Sequence, residues 1–234
     1  MTRRSIAFCA ALTLLTTLAA CSGGGGGSDQ VEINGVTYTR STKTGVRILH
    51  AAIDAVPLSL AVEDTVLQTA RYSQATQFVE VEKGPVILKL EQANSAGMVI
   101  SSVSTELADD TEYSLLVYGG TDDSSFNVAL LSEPIERPDE GKGRLQLVNA
   151  YDRGVTATFE NAEDSETISA LSLGSSSGLR ELTSGPQTVT IRNSSGSVIA
   201  RRTVDLVDRT DVTLVVMGSK DLGVVFVSEL LDLD

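Results

Sequence analysis

The 234-residue sequence is poor in the residues that carry most enzyme and metal chemistry. It contains no tryptophan, one histidine and two cysteines, and only 4% of its residues are aromatic. The few aromatic rings leave no obvious stacking platform for sugars. The formal net charge is −13 and no basic run is present, so the electrostatic signature of a nucleic-acid-binding protein is missing. The apolar content of 41% is ample for one or more hydrophobic cores.

The first 20 residues have the layout of a secretory signal. Arg3 and Arg4 form a basic start, and the apolar stretch after them is too short to span a bilayer comfortably as a permanent helix. The stretch closes on four residues that resemble the lipobox of bacterial lipoproteins, namely Leu18, Ala19, Ala20 and Cys21. The resemblance implies that residues 1–20 are a lipoprotein signal peptide and that Cys21 becomes the lipidated first residue of the mature chain. The alternative is an ordinary secretory signal with a chance cysteine.

Cys21 and the residues after it predict a membrane location and a flexible tether. The resemblance implies a diacylglyceryl anchor, and two acyl chains hold a protein stably at a membrane. Ser22 stands where an aspartate favours retention in the inner membrane, which predicts the outer membrane of a Gram-negative bacterium. Residues 21–30, rich in glycine and serine, are predicted to be a flexible tether. Removal of the signal makes the net charge −15 and takes away Cys9, so no thiol remains for a disulfide or a metal.

The predicted mature chain contains an internal repeat with an offset of 99 residues. The matches are 94–100 with 193–199, 107–111 with 206–210, 115–119 with 214–218, Ala51 with Ala150 and Val128 with Val227. Gly84-Pro85 recurs as Gly185-Pro186 at an offset of 101. A period near 100 residues is the size of a domain rather than of a solenoid unit.

Within each copy the apolar residues alternate with a period of two, and no segment shows a sustained helical period. About seven strands are predicted per copy, and in the first copy they lie near 46–51, 57–62, 77–82, 86–91, 98–106, 112–118 and 125–131. This pattern predicts an all-β fold with two tandem immunoglobulin-like β-sandwich domains. The predicted ranges are 31–132 for the first domain, with its core repeat at 46–131, then 133–143 for a linker and 144–234 for the second domain. Asn34-Gly35 predicts a hairpin turn within 31–37.

The strand near 112–118 and its equivalent near 212–217 are apolar on both faces. In the first copy, one set consists of Tyr113, Leu115 and Val117, and a second set of Leu116 and Tyr118 lies between them. A strand of this composition is either covered on both faces within a domain or lies at a contact between domains.

Three stretches of the first copy resemble a family of exported bacterial domains. Residues 46–54, VRILHAAID, are similar to the opening motif of the domain of unknown function 4397 (DUF4397). Residues 83–86 are similar to its glycine-led strand, and 111–119 to its closing strand that ends in glycine. The second copy, about 144–230, has Asn149 where the first has His50. The resemblance implies secreted or envelope-attached β-sandwich domains, often in tandem, and it supplies no activity.

The candidate polar sites are His50 and several acidic groups. As a catalyst, His50 would be a general base near neutral pH. Asn149, at the equivalent position of the second copy, can form similar hydrogen bonds but cannot titrate. A structural role at the end of the first strand is therefore predicted for His50. The acidic groups are Asp109-Asp110, Asp122-Asp123, Asp139-Glu140, and Glu160 with Glu163, Asp164 and Glu166. Solvated turns are predicted for them, with loop-bound calcium as the alternative, and Asp109 and Asp208 are predicted to make turn hydrogen bonds.

The sequence singles out no catalytic residue, metal site or cofactor, and we expect a protein that is not an enzyme. The predicted function is a non-enzymatic binding or spacer module, held in the envelope by lipid and in contact with an envelope protein or glycan. Binding in such sandwiches usually lies in the loops at one end or along an edge strand, so 71–77 and 119–125 are the candidate segments. The alternatives are a weak glycan-directed hydrolase that uses acidic residues and an accessory subunit of an envelope complex.

Overall fold

The computed structural model describes residues 29–33, 36–40, 43–95, 97–120, 126–151, 154–162, 165–219 and 224–232. These residues form twenty β-strands and no helix, which confirms the predicted all-β class. Among them there is therefore no helix of the length and apolarity needed to cross a membrane. The lipobox, Cys21, Ser22 and residues 21–28 of the predicted tether lie outside the described residues.

A two-stranded hairpin comes first along the chain. Strand β1 (Asp29–Ile33) pairs antiparallel with β2 (Val36–Arg40), and Ile33 lies opposite Val36. This register leaves Asn34 and Gly35 to connect the two strands, which agrees with the predicted hairpin.

The first domain is a sandwich of two sheets. Its strands are β3 (Gly45–Ala52), β4 (Leu58–Val62), β5 (Thr65–Ala70), β6 (Gln74–Ala75), β7 (Val79–Glu80), β8 (Gly84–Gln92), β9 (Val99–Leu107), β10 (Thr111–Gly119) and β11 (Phe126–Pro134). One sheet has the order β11-β10-β3, with β6 and β7 both paired to β3, and the other has the order β5-β4-β8-β9. Strands β3 and β10 are parallel, whereas the other neighbours are antiparallel.

The second domain repeats this arrangement. Its strands are β12 (Lys142–Tyr151), β13 (Val155–Glu160), β14 (Ser165–Leu171), β15 (Ser175–Ser176), β16 (Arg180–Thr183), β17 (Gly185–Asn193), β18 (Val198–Leu206), β19 (Asp211–Ser219) and β20 (Val224–Asp232). One sheet has the order β20-β19-β12, with β15 and β16 paired to β12, and the other has the order β14-β13-β17-β18. The predicted pair of tandem sandwiches is confirmed. The strand order, with β3 parallel to β10 and β12 parallel to β19, differs from the ABED and CFG sheets of immunoglobulin constant domains.

Each domain contains more strands than the seven predicted from the sequence. Strand β5 lies where no strand was predicted, at the edge of its sheet, and Val66 within it is 52% exposed. An edge strand that exposes an apolar residue lacks the alternation by which strands are recognised. The segment predicted as a strand near 77–82 holds only the two-residue strand β7. The connection between the domains is 135–141, shorter than the predicted 133–143, because β11 continues to Pro134 and β12 begins at Lys142.

Each domain encloses its own hydrophobic core. The first core includes Val46, Ile48, Leu58, Leu60, Leu88, Leu90, Leu115 and Val117. The second includes Leu145, Leu147, Phe159, Val189, Ile191, Val212, Leu214 and Val216. On the central strands these residues occupy every second position, as the period of a strand requires.

The intervening positions of the central strands form a third buried cluster, which lies between the domains. Leu49, Ala51 and Leu116 of the first domain pack in one cluster with Val148, Ala150, Val215 and Met217 of the second. We call this contact the domain interface. It decides between the two alternatives for the strand near 112–118, because Leu115 faces the core of its own domain and Leu116 faces the other domain.

The central strands of the two domains point in the same direction. Close to their starts, Arg47 Nη2 donates to Thr213 Oγ1 at 3.5 Å. Close to their ends, Tyr118 lies against Gly174, whose N–H donates to the carbonyl of Asn149. We call the end at which β3, β10, β12 and β19 start the near end, and the end at which they finish the far end. The chain enters the first domain at the near end.

Candidate functional site at the far end of the domain pair

Exposed apolar side chains from both domains lie at the far end. Val56 is 41% exposed and follows β3, while Met98, in the turn after β8, and Val99, the first residue of β9, are 57% and 46% exposed. In the second domain, Leu173 follows β14 and is 37% exposed, and Val198 follows β17 and is 51% exposed. The alternating strand directions place all of these connections at the far end. Val99 and Val198 correspond to each other at the offset of 99 residues.

Two observations support this placement. The Ala93 N–H donates to the Pro57 carbonyl at 2.9 Å, which joins the turn after β8 to the connection after β3. Among the residues whose exposure the structure describes, the two other large exposed apolar residues are Val66, near the start of β5, and Ile87, in the first half of β8, and both lie towards the near end. Single exposed apolar residues are normal, but a group confined to one region is typical of an interaction surface.

The predicted binding segment 71–77 lies partly in the domain interface. Gln74–Ala75 form β6, and Tyr72 and Ala75 pack against the interface cluster. Ser73 and Gln74 are exposed, yet they also line a small cavity together with Met217 of the second domain. The segment is therefore a contact between domains as well as a surface loop. Residues 121–125 of the other predicted segment lie outside the described residues.

His50 is buried at the end of β3 and anchors the connection that follows. It is 1% exposed, and its Nε2 hydrogen-bonds the carbonyl of Val56 at 3.1 Å. The equivalent Asn149 is also buried, and its Nδ2 donates to the carbonyl of Leu171 at 2.9 Å. Both side chains thus attach the end of a first strand to a neighbouring backbone segment, which agrees with the structural role predicted for His50.

The burial of His50 predicts a specific pH dependence of stability. Burial lowers the pKa of His50 below its ordinary value of 6.5. The unfolded chain then binds a proton that the folded chain accepts only at lower pH, so stability decreases as the pH falls below about 6.5. Replacing His50 by asparagine, as at position 149, should remove this contribution, whose slope is at most about 1.4 kcal/mol per pH unit. Urea unfolding of both proteins between about pH 5 and pH 8 measures it, and parallel profiles would contradict the prediction.

The described acidic groups have separate structural partners. Asp109 pairs with Lys83, and this hydrogen bond lowers the pKa of the Asp109 carboxyl. The equivalent Asp208 accepts a hydrogen bond from the N–H of Gly141 at 2.7 Å. Asp208 therefore bonds the backbone of the connection between the domains and not its own turn, and Asp109 makes an ion pair. Among the residues that the structure describes, no three His, Cys, Asp or Glu side chains are grouped as metal ligands. Four members of the predicted groups lie outside these residues, namely Asp122, Asp123, Glu163 and Asp164.

An open groove at the near end is lined by charged side chains that pair with one another. Lys43 Nζ lies 2.9 Å from Glu80 Oε2, and the second pair across the groove is Lys83 with Asp109. The hydrogen bond from Lys43 to Glu80 raises the pKa of Lys43. The charges of these four side chains are therefore matched within the chain.

Buried charges between and within the sheets were not predicted from the sequence. Arg47 is 2% exposed, its Nε donates to Ser114 Oγ at 2.8 Å, and its Nη2 lies 3.7 Å from Glu133 Oε2. Its guanidinium also lies 4.2 Å above the ring centre of Phe78, a cation–π contact. The available signal was an arginine inside an otherwise apolar first strand.

The first domain contains the strands on which the sequence resemblance rests. Its opening strand β3 carries the VRILHAA stretch, and its closing motif forms β10. Residues 44–156 match the family model of the domain of unknown function DUF4397. The DUF4397 match begins just before β3, includes the whole first sandwich and ends within β13 of the second domain. It thus includes His50, Asn149 and most of the first-domain residues at the far end.

No curated protein matches this chain. Among solved structures, the chain is similar to the crystal structure of a "putative cell adhesion protein" from Bacteroides uniformis ATCC 8492, with 9% sequence identity and a TM-score of 0.24. The alignment covers 82% of this chain and 97% of that chain.

Proposed function

We propose that this chain is a non-enzymatic binding or spacer module of the bacterial cell envelope. The observation that carries the proposal is the set of exposed apolar side chains that both domains present at the far end. Contact with another macromolecule would remove these side chains from water, at about 25 cal/mol per Å² of apolar surface. The polar turns around them, such as Asn94 and Ser95, provide hydrogen-bonding groups at the rim.

The domain interface supports the same function, because it holds the two far ends side by side. Domains joined by a linker move relative to each other unless a substantial apolar contact connects them. Here Leu49 and Leu116 are at most 2% exposed within the interface cluster, and the connection between the domains is only 135–141. A pair held in this way presents two related surfaces at a fixed separation.

We further propose that the N-terminal segment anchors this pair to the outer membrane. Residues 1–20 act as a lipoprotein signal peptide, Cys21 carries the lipid, and Ser22 permits sorting to the outer membrane. The described part of the chain enters the first domain at the near end, which lies opposite the exposed apolar side chains of the far end. The second domain is proposed to be a further copy of DUF4397, because it repeats the strand order of the first.

Replacing Cys21 by alanine should abolish incorporation of palmitate and release the protein from the outer-membrane fraction. The thioether linkage requires the thiol, and without acyl chains a body with a net charge near −15 is not held at anionic lipid. Metabolic palmitate labelling, globomycin treatment and envelope fractionation measure this result. Ser22→Asp is the matched control, since it should keep the label and move the protein to the inner membrane. Unlabelled wild-type protein would exclude the anchor.

Photo-crosslinking in intact cells tests the binding surface. Photoreactive residues at Met98 and Val198 should each trap the same dominant partner, whereas a photoreactive residue at the equally exposed Val66 should not, because Val66 lies at the near end. Equal crosslinking from all three positions would contradict a binding site at the far end. Substrate turnover that disappears on one Asp→Asn change would instead identify a hydrolase.

A further inference from the structure

The domain interface is built from the same positions of the two copies. The pairs related by the offset of 99 residues are Leu49 with Val148, Ala51 with Ala150, Leu116 with Val215 and Tyr118 with Met217. The contacts between strands are reciprocal too, since β3 contacts β19 and β10 contacts β12. A contact in which one patch meets the equivalent patch of a related body is isologous.

The far-end contacts follow the same rule. Tyr118 lies against Gly174, and Met217, the equivalent of Tyr118, lines a cavity with Ser73. Ser73 and Gly174 occupy equivalent turns, with φ angles of 61° and 76°. The two domains are therefore related by an approximate two-fold axis that runs along the strands.

One pair of equivalent residues breaks this symmetry. Arg47 of the first domain corresponds to Gln146 of the second. Both side chains reach the hydroxyl of Thr213, Arg47 Nη2 at 3.5 Å and Gln146 Nε2 at 3.0 Å. Positions 47 and 146 therefore lie beside each other at the interface, where both residues are at most 2% exposed. Gln146 also accepts a hydrogen bond from Ser176 Oγ at 2.6 Å.

We infer that Arg47 determines which domain face can pack against the interface face of the first domain. It admits the neutral face of the second domain, where the Thr213 hydroxyl accepts a hydrogen bond from its guanidinium, and it rejects the equivalent face of a first domain from a second copy of the chain. Pairing of two first domains through this face would place two copies of Arg47 side by side with little access to water. Each guanidinium keeps its own Glu133 carboxylate at 3.7 Å, but two like charges side by side at a buried position still repel each other and lose their hydration. A repulsive element of this kind selects a partner by excluding the alternatives.

The substitution Gln146→Arg places two guanidiniums at the interface of the full-length chain and so reproduces the excluded pairing. In the Cys21→Ala protein without its signal peptide, spin labels at Ser104→Cys and Thr203→Cys report the distance between exposed, equivalent positions of the two domains. We expect Gln146→Arg to abolish the single distance peak of the parent and to lower the melting temperature by about 10 °C. Gln146→Met removes the same hydrogen bonds without adding charge, and it should retain the peak.

The variant Arg47→Gln/Glu133→Gln/Gln146→Arg restores a single guanidinium to the interface and also removes the buried Glu133 carboxylate that pairs with Arg47, so it should recover the distance peak. If Gln146→Arg alone does not fold, recovery of folded protein in this triple variant is the same result. If Gln146→Arg and Gln146→Met changed the distance peak and the melting temperature equally, the inference would be overturned. The lost hydrogen bonds of Gln146 would then explain the separation of the two domains. Failure of the pair Arg47→Gln/Glu133→Gln to rescue Gln146→Arg would overturn the inference as well.

Discussion

Replacing Asp211 by alanine is expected to lower the free energy of unfolding of the second domain by about 3–5 kcal/mol. Asp211 is 1% exposed, and its carboxylate accepts two parallel hydrogen bonds from Arg144, Nε to Oδ1 at 2.7 Å and Nη2 to Oδ2 at 2.6 Å. The substitution leaves the Arg144 guanidinium without this carboxylate at a position that is only 8% exposed. Urea unfolding followed by circular dichroism measures the loss.

The double variant Arg144→Met/Asp211→Leu separates the buried charge from packing. Because no charge remains buried, it should recover most of the stability that Asp211→Ala loses. The surface pair Lys83 and Asp109 is the matched exposed control, and Asp109→Ala should cause no measurable change because solvent screens this pair. A double variant as unstable as the single one would show that side-chain packing, and not the unpaired charge, governs this site.

The parts of the fold that depend on side-chain periodicity could be predicted from the sequence. The alternation of Val46 and Ile48 with Leu49 and Ala51 is the alternation of core and domain interface that the structure shows. The second apolar set that contains Leu116 could likewise be read as a domain contact. These predictions succeed because burial on one face of a strand requires apolar residues at every second position.

Strand order could not be predicted in this way. The paired residues of the parallel neighbours β3 and β10 are 67 positions apart in the chain, and nothing in either alternation records which strand lies beside which. The pattern shows only how many faces of a strand are buried. The edge strand β5 was not predicted because its residues do not follow the usual pattern of buried apolar and exposed polar side chains. Apolar Val66 is exposed, whereas polar Gln68 is partly buried.

The candidate site was less predictable than the fold. Val56, Met98 and Val198 are single apolar residues in or next to three separate connections, and only the strand directions bring these connections to one end. Arg47 and Arg144 interrupt apolar runs in the sequence. The structure buries both, since carboxylates from distant strands reach them. Long-range pairing of this kind leaves no local signal in the sequence.

Replacing Gly174 by alanine should open the domain interface and destabilise the protein by about 2–4 kcal/mol. Gly174 has a φ of 76°, which strains any residue with a side chain, and an added Cβ would overlap the phenol ring of Tyr118 across the interface. Gly178→Ala is the matched control, because Gly178 has a similar φ of 69° and no atom within 4 Å of an added Cβ. The control should therefore cost only the backbone strain, about 1 kcal/mol.

The difference between the two glycine variants isolates the contact between the domains. Combining Gly174→Ala with Tyr118→Ala removes the overlap but keeps the strain, so the double variant should lose about as much stability as Gly178→Ala plus the packing of one tyrosine. Spin labels at Ser104→Cys and Thr203→Cys should report a displaced second domain in Gly174→Ala and the parental distance in Gly178→Ala. Since Ser73 tolerates a φ of 61° at the equivalent turn opposite Met217, strain alone does not open this contact. Equal losses in Gly174→Ala and Gly178→Ala would therefore show that Tyr118 does not hold the two far ends in register.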